Sequence, residues 1–268
     1  MGELRVYGAI LGDIIGSTYE VHNVKTENFP LFPYGSQFTD DTVLSVAIAD
    51  QILHRSGSRL GMRKSYAMWY KQYYRRYPNV GYGQMFSNWA KEDGLSIQRS
   101  YGNGAAMRVS AIGYAFKSLQ QIQSEVKKSC FYTHYHKEAI KGAEAIASCI
   151  FLARTGASKE EISEYVKKYI GYPMNEKLSE IRESYVFNSR ASYSVPPAIQ
   201  AFLESDSYED AIRKAISIGG DSDTIACMTG GIAEAFYKEI PEAILSKGKL
   251  LLDSGLKSVV DQFNAVYL

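Results

Sequence analysis

The chain reads as an all-α protein, and three observations predict it. Apolar residues recur at helical spacing through nearly the whole length, convincing alternating strands are absent, and no linker, repeat or low-complexity tract divides the sequence. The 268 residues are 46% hydrophobic and 22% charged, enough to bury one substantial core. We therefore expect a single compact multi-helix domain spanning 1–268, with ten or more helices.

The elements follow in order. Over residues 7–19, Gly8, Gly12 and Gly16 fall every fourth position among Ile10, Ile14 and Ile15. Such a stripe lies on one helical face and lets a neighbouring backbone come close, which suits a central helix. Thr39–Asp50 carries Val43, Ala47 and Ile48 on one face, and 60–76 repeats the spacing with Met62, Tyr66, Trp69, Tyr70 and Tyr73. Ala105–Phe116, Ala139–Ala153 and Ile225–Phe236 continue it. Gly156 followed by Ser158-Lys159-Glu160-Glu161 predicts a helix stop and then a capping box. Ser207-Tyr208-Glu209-Asp210 opens a helix that ends near Gly219, and Pro196-Pro197 suits the first turn of another. Tyr185–Phe187 is the best strand candidate and is too short to build a sheet.

Thirty basic against 29 acidic residues give a formal charge of +1, so the basic field expected of a nucleic-acid binder is missing. Cys130, Cys149 and Cys227 are odd in number and form no CxxC, which argues against a disulfide framework or a structural zinc. No apolar leader precedes the first motif at Gly8, and no apolar stretch reaches the roughly 20 residues of a membrane span. A cytoplasmic protein with no membrane partner is expected.

The chemistry concentrates in two acidic clusters separated by most of the chain: Thr39-Asp40-Asp41-Thr42 and Gly219-Gly220-Asp221-Ser222-Asp223-Thr224. Each offers two carboxylates beside a threonine hydroxyl at the start of a helix. Hard oxygen donors of this kind suit divalent cations and point to a metal-assisted enzyme. Either cluster also reads as an ordinary helix N-cap. The two roles are compatible, because side chains at a helix start can converge on one point beyond its end.

Asp13, on the glycine-lined helix, is either an anchor for a neighbouring helix or a carboxylate coupled to a cation. Glu20 ends that helix and could reach into a cleft. Tyr101-Gly102-Asn103-Gly104-Ala105-Ala106-Met107-Arg108 is a glycine-rich turn feeding a helix, a pattern that can expose N–H groups to a phosphate. In Thr133-His134-Tyr135-His136 the two histidines stand i, i+2 and share no helix face; one lining a ligand cleft and a satisfied packing histidine are both open readings, and a His-Glu-x-x-His motif is absent.

Taken together, Gly12-Asp13-x-x-Gly16 with Glu20, Thr39-Asp40-Asp41-Thr42, Gly102-Asn103-Gly104 with Met107-Arg108, Thr133-His134 and Gly219-Gly220-Asp221-Ser222-Asp223-Thr224 resemble the ADP-ribosylglycohydrolase family, through nearly the whole chain. Within it the likeness is to compact bacterial members and to hydrolases of serine and arginine linkages and acetyl esters. The resemblance implies an all-helical fold with two Mg²⁺ ions, or Mn²⁺, in a cleft. It implies Thr39, Asp40, Asp41, Asp221, Asp223 and Thr224 as metal ligands and Glu20 as the catalytic glutamate. Gly102, Asn103, Gly104, Met107 and His134 would contact ADP-ribose, with Tyr193 as an adenine-stacking candidate. The implied partners are ADP-ribosylated proteins or an ADP-ribose-containing small molecule. Ala111 after Ser110, and the segment Asn188–Tyr193, depart from the family pattern and bear on the adenine side. The non-catalytic alternative is an ADP-ribose-binding protein, and the other catalytic one is a different two-metal hydrolase.

Overall fold

A computed structural model describes residues 6–55 and 61–267. Among them are fourteen α-helices and no strand, only two isolated β-bridges, Arg99 with His134 and Gly102 with Arg190. None of the helices is long and apolar enough to cross a membrane. The three cysteines are free and buried.

The centre is a pair of helices from opposite ends of the chain, α1 (Tyr7–Val21) and α12 (Ser222–Tyr237). The glycine stripe explains how close they are. A Cβ added at Gly12 would stand 2.1 Å from the Ala226 carbonyl oxygen, one at Gly8 2.4 Å from that of Gly230, and one at Gly16 2.5 Å from the Asp223 Cα. Glycine is required at these positions because backbone occupies the space a side chain would need. The apolar face of α1 is buried through Ile10, Ile14 and Ile15.

Around α12 pack α7 (Lys137–Arg154), α10 (Ala191–Leu203) and α11 (Tyr208–Ser217). On the other side α2 (Asp40–Leu53) rests on α3 (Met62–Arg76), α5 (Ser110–Ala115) and α14 (Ser254–Tyr267). The helix expected over 60–76 is thus found as Met62–Arg76, position 60 lying outside the described residues. The remaining helices are α4 (Gln84–Lys91), α6 (Leu119–Cys130), α8 (Lys159–Tyr165), α9 (Leu178–Ser184) and α13 (Glu242–Leu251).

The punctuation signals were largely sound. Ser158 and Glu161 form the expected capping box of α8, after Gly156 at φ +93°. Ser207 caps α11 by accepting from the Asp210 N–H at 3.1 Å.

Two local expectations need correction. The helix read over Ala105–Phe116 is a single 3₁₀ turn, Asn103–Ala105, followed by a break and then α5. Small residues there support a tight turn as readily as a helix. Pro196-Pro197 lie inside α10, which begins at Ala191, five residues before Pro196. The helix has already begun at the turn where the N–H groups of Tyr193 and Ser194 both donate to the Arg190 carbonyl, and the prolines leave two later ladder positions without an N–H. Tyr185–Phe187, read as too short to build a sheet, is indeed no strand but loop joining α9 to α10.

Candidate metal centre and cleft

The two acidic clusters meet where α1, α2 and α12 converge. Thr39 is the N-cap of α2, its hydroxyl accepting from the Asp41 N–H at 3.3 Å. Asp13 reaches the same turn from α1. It accepts from the Thr39 N–H at 2.9 Å and hydroxyl at 2.7 Å, and from the Thr42 N–H at 3.1 Å and hydroxyl at 2.5 Å. Asp13 therefore anchors the start of α2, satisfying N–H groups that a helix start leaves without partners.

On α12, Asp221 occupies the N-cap position without capping through its side chain; its carboxylate instead accepts from the Asn103 amide at 2.7 Å. Asp223 Oδ1 accepts the Thr224 N–H at 2.8 Å, and the Thr224 hydroxyl donates to Asp41 Oδ2 at 3.2 Å across the helix junction. Gly219 and Gly220, at φ +75° and +74°, turn the chain into α12. Asn23 clamps this turn, donating to the Gly220 carbonyl at 3.2 Å and accepting the Gly220 N–H.

Two carboxylate trios result. Asp13, Asp41 and Asp223 place one oxygen each within 4.8 Å of one another, as do Glu20, Asp221 and Asp223. Asp223 belongs to both, so the trios are neighbours sharing one side chain. Asp40 belongs to neither; it is half-buried and lines the same cleft, as do Thr39 and Thr224. Asp13, Asp41, Asp221 and Asp223 are buried, whereas Glu20 is exposed at the cleft edge.

Burial first, and then the charges of neighbouring carboxylates, push the carboxyl groups of Asp41 and Asp223 well above the ordinary range and that of Asp40 up to about 8. Glu20 is raised by the same two causes, Asp221 and Asp13 being the nearby charges. Burial raises Asp13 and Asp221 too, opposed by the hydrogen bonds they accept. No lysine or arginine among the described residues pairs with any of the six. Asp41 Oδ1 is buried without a hydrogen-bond partner among those residues. Crowded, unneutralised carboxylates with an orphan oxygen fit a divalent cation, whose charge would offset their repulsion and whose hard character matches oxygen donors.

The cleft above the trios has a volume of about 400 Å³. Gly102, Asn103, Gly104, Met107 and His134 all line it. The loop is less open than its glycines suggest, since the Gly102 N–H donates to Ser100 Oγ at 3.1 Å and the Asn103 N–H to the Ser189 carbonyl at 2.8 Å. His134 is buried, and burial together with the Arg108 charge holds its ring well below the ordinary histidine range, hence neutral. His136 neither lines the cleft nor simply packs; its ring accepts the Glu138 N–H and caps α7, a role the sequence reading did not offer.

Tyr193 is half-exposed and lines a separate cavity of about 740 Å³, behind the Tyr185–Ser189 segment, with Tyr172 and Pro196. It does not line the acidic cleft. The aromatic walls of that cleft are Phe86, Trp89 and Phe187. None carries a motif, and Phe187 is exposed on a loop, so sequence reasoning had no signal for them. The clamp residue Asn23 was missed for the same reason.

The family signature of the ADP-ribosylglycohydrolases matches residues 5–267. The chain is 29% identical to the human protein named ADP-ribosylhydrolase ARH3, over 88% of this chain and 85% of that one. It is 26% identical to the ADP-ribosylarginine hydrolase Tri1 of Pseudomonas putida, over 86% of this chain and 68% of that protein. A solved structure titled ADP-ribosylglycohydrolase-related protein complex superposes with a TM-score of 0.72 at 23% identity, covering 99% of this chain and 97% of that one, which shows a shared fold. With its signature matched almost from end to end, the chain belongs to the ADP-ribosylglycohydrolase family.

Proposed function

We propose that the protein is a metal-dependent hydrolase that cleaves the anomeric ribose bond of ADP-ribosylated substrates and releases ADP-ribose. The carrying observation is the pair of carboxylate trios that share Asp223 and open to a cleft edged by Glu20. Family membership, and relatives named for ADP-ribosyl hydrolysis, supply the substrate class. The substrate is then a modified protein side chain or O-acetyl-ADP-ribose.

Thr39, Asp41, Asp221, Asp223 and Thr224, with Asp40 beside them, would hold two divalent ions, Mg²⁺ or Mn²⁺. Such ions supply Lewis-acid charge for ribose hydroxyls and for the water or leaving group. Asn103 orients the Asp221 carboxylate, and Asp13 fixes the turn that presents Thr39 and Asp41. Cleavage at the anomeric carbon builds oxocarbenium-like positive charge, and the surrounding carboxylates stabilise it. Glu20, raised above the usual carboxylate range, is suited to giving a proton to the leaving group and taking one from water. The glycine loop, Met107 and His134 form the wall against which the ADP-ribose would lie.

Incubation with defined ADP-ribosylated peptides and O-acetyl-ADP-ribose, in Mg²⁺ and in Mn²⁺, tests the proposal. Intact ADP-ribose as the product supports it. AMP or free phosphate identifies a different two-metal hydrolase, and tight ADP-ribose binding with bound metal but no turnover identifies a non-catalytic binder. Full rate in Asp40→Ala or Asp223→Ala at saturating Mg²⁺ would overturn the ligand set.

A further inference from the structure

Arg108 is wholly buried and makes no ion pair with a carboxylate among the described residues. Its guanidinium lies 4.2 Å over the Tyr70 ring, and Nη2 donates to Thr133 Oγ1 at 2.7 Å and weakly to the Ser129 carbonyl at 3.4 Å. Nε and Nη1 have no partner among the described residues. Thr133 Oγ1 is in turn 2.9 Å from His134 Nδ1, so one oxygen links a buried cation to the histidine of the cleft. The ring's other nitrogen, Nε2, is turned toward the glycine loop; a Cβ at Gly104 would stand 3.2 Å from it and one at Gly102 4.0 Å.

The direction of each hydrogen bond follows from what the groups can do. A guanidinium only donates, so Thr133 Oγ1 accepts from Arg108. The hydroxyl has a single proton, and its other partner among the described residues is His134 Nδ1. If Nδ1 carried the hydrogen instead, it would donate to the same oxygen, leaving the threonine proton buried and unpaired beside a cation. The favourable arrangement runs Arg108 to Thr133 to His134 Nδ1. We propose that Arg108 and Thr133 are positioning residues that hold His134 as its Nε2–H tautomer, presenting a hydrogen-bond donor to the cleft beside Gly104. Burial and the Arg108 charge, which keep the ring neutral, act in the same sense. The donor suits an acceptor oxygen, a phosphate or a ribose hydroxyl. That last step rests on the ADP-ribosyl reading of the cleft; the tautomer does not.

The test is long-range ¹H–¹⁵N NMR of the full-length protein labelled at histidine, with the His134 signals identified by their loss in His134→Asn. The expected pattern in the wild type is hydrogen-bearing Nε2 and bare Nδ1. Thr133→Val removes the relaying proton and is expected to give a mixture or the opposite tautomer, with ADP-ribose bound roughly tenfold more weakly. Thr133→Ser is expected to restore both. An Nδ1–H pattern in the wild type, or an unchanged pattern in Thr133→Val, would overturn the relay. A changed pattern with unaltered ADP-ribose affinity would uphold the relay and count against the ADP-ribosyl reading at this wall.

Discussion

Gly12 and Ala226 touch backbone to backbone: a Cβ on the glycine would lie 2.1 Å from the alanine carbonyl oxygen. That contact sets the spacing between α1, which carries Asp13 and Glu20, and α12, which carries Asp223. Gly12→Ala must push the two helices apart. Overpacking against backbone, with no flexible side chain to yield, is expected to cost ~3 kcal/mol or more. A thermal melt followed by circular dichroism checks it, and a wild-type midpoint would mean that the helices slide without penalty.

Asp13 and Asp223 share a trio but differ in what holds them. Asp13 accepts four hydrogen bonds from Thr39 and Thr42, whereas Asp223 is pressed by the charges of Asp41, Asp221, Glu20 and Asp13. In metal-free protein, Asp13→Ala strands buried donors and is expected to destabilise by at least ~2 kcal/mol. Asp223→Asn removes one of several crowded charges and is expected to leave the metal-free protein as stable as wild type, or more so. Urea unfolding in EDTA separates the two; equal losses would contradict the division of roles.

The same crowding fixes a pH dependence. An unfolded aspartate titrates near ~4, while Asp40 in the fold is pushed up to about 8 and Asp41 and Asp223 are also raised. Between those values the folded chain holds protons that the unfolded chain has released. Stability without metal is therefore full below pH ~4 as far as these groups are concerned, and falls as pH rises toward about 8. Divalent ions bind the deprotonated form, so the stabilisation by Mg²⁺ should grow across the same window. Melts from pH 5 to 8, with and without Mg²⁺, are expected to diverge. Parallel curves would remove the carboxylates from the metal site.

Glu20 stands at the cleft edge, exposed, with its carboxyl raised by partial burial and by Asp221 and Asp13. Glu20→Gln keeps the shape and removes the proton transfer. A fall in kcat of roughly 10²–10⁴-fold is expected, with ADP-ribose affinity little changed. A loss confined to KM would assign Glu20 to binding.

Much of this is legible in the sequence. The spacing of Gly8, Gly12 and Gly16 foretold the close helix pair because a four-residue period has a direct geometric meaning. The two Asp-rich helix starts pointed to converging carboxylates because, although each alone is an ordinary cap, two of matching chemistry recur at distant points of the chain. The fate of Asp13 could not be read, since an anchor and a ligand have the same local sequence and only the position of Thr39 and Thr42 distinguishes them. Nor could Tyr193 be placed: whether it faces the acidic cleft depends on the path of Tyr185–Ser189, which no periodicity encodes. Pro196-Pro197 misled because the proline rule marks helix starts, while here the turn at Arg190 begins the helix earlier.

The most direct measurement is the number of Mn²⁺ ions bound per chain, by equilibrium dialysis of the wild type and of Asp223→Asn. Sharing of one aspartate by two neighbouring carboxylate groups leads to two ions in the wild type and loss of tight binding in the variant. Undiminished binding to Asp223→Asn, or no binding to the wild type, would contradict it.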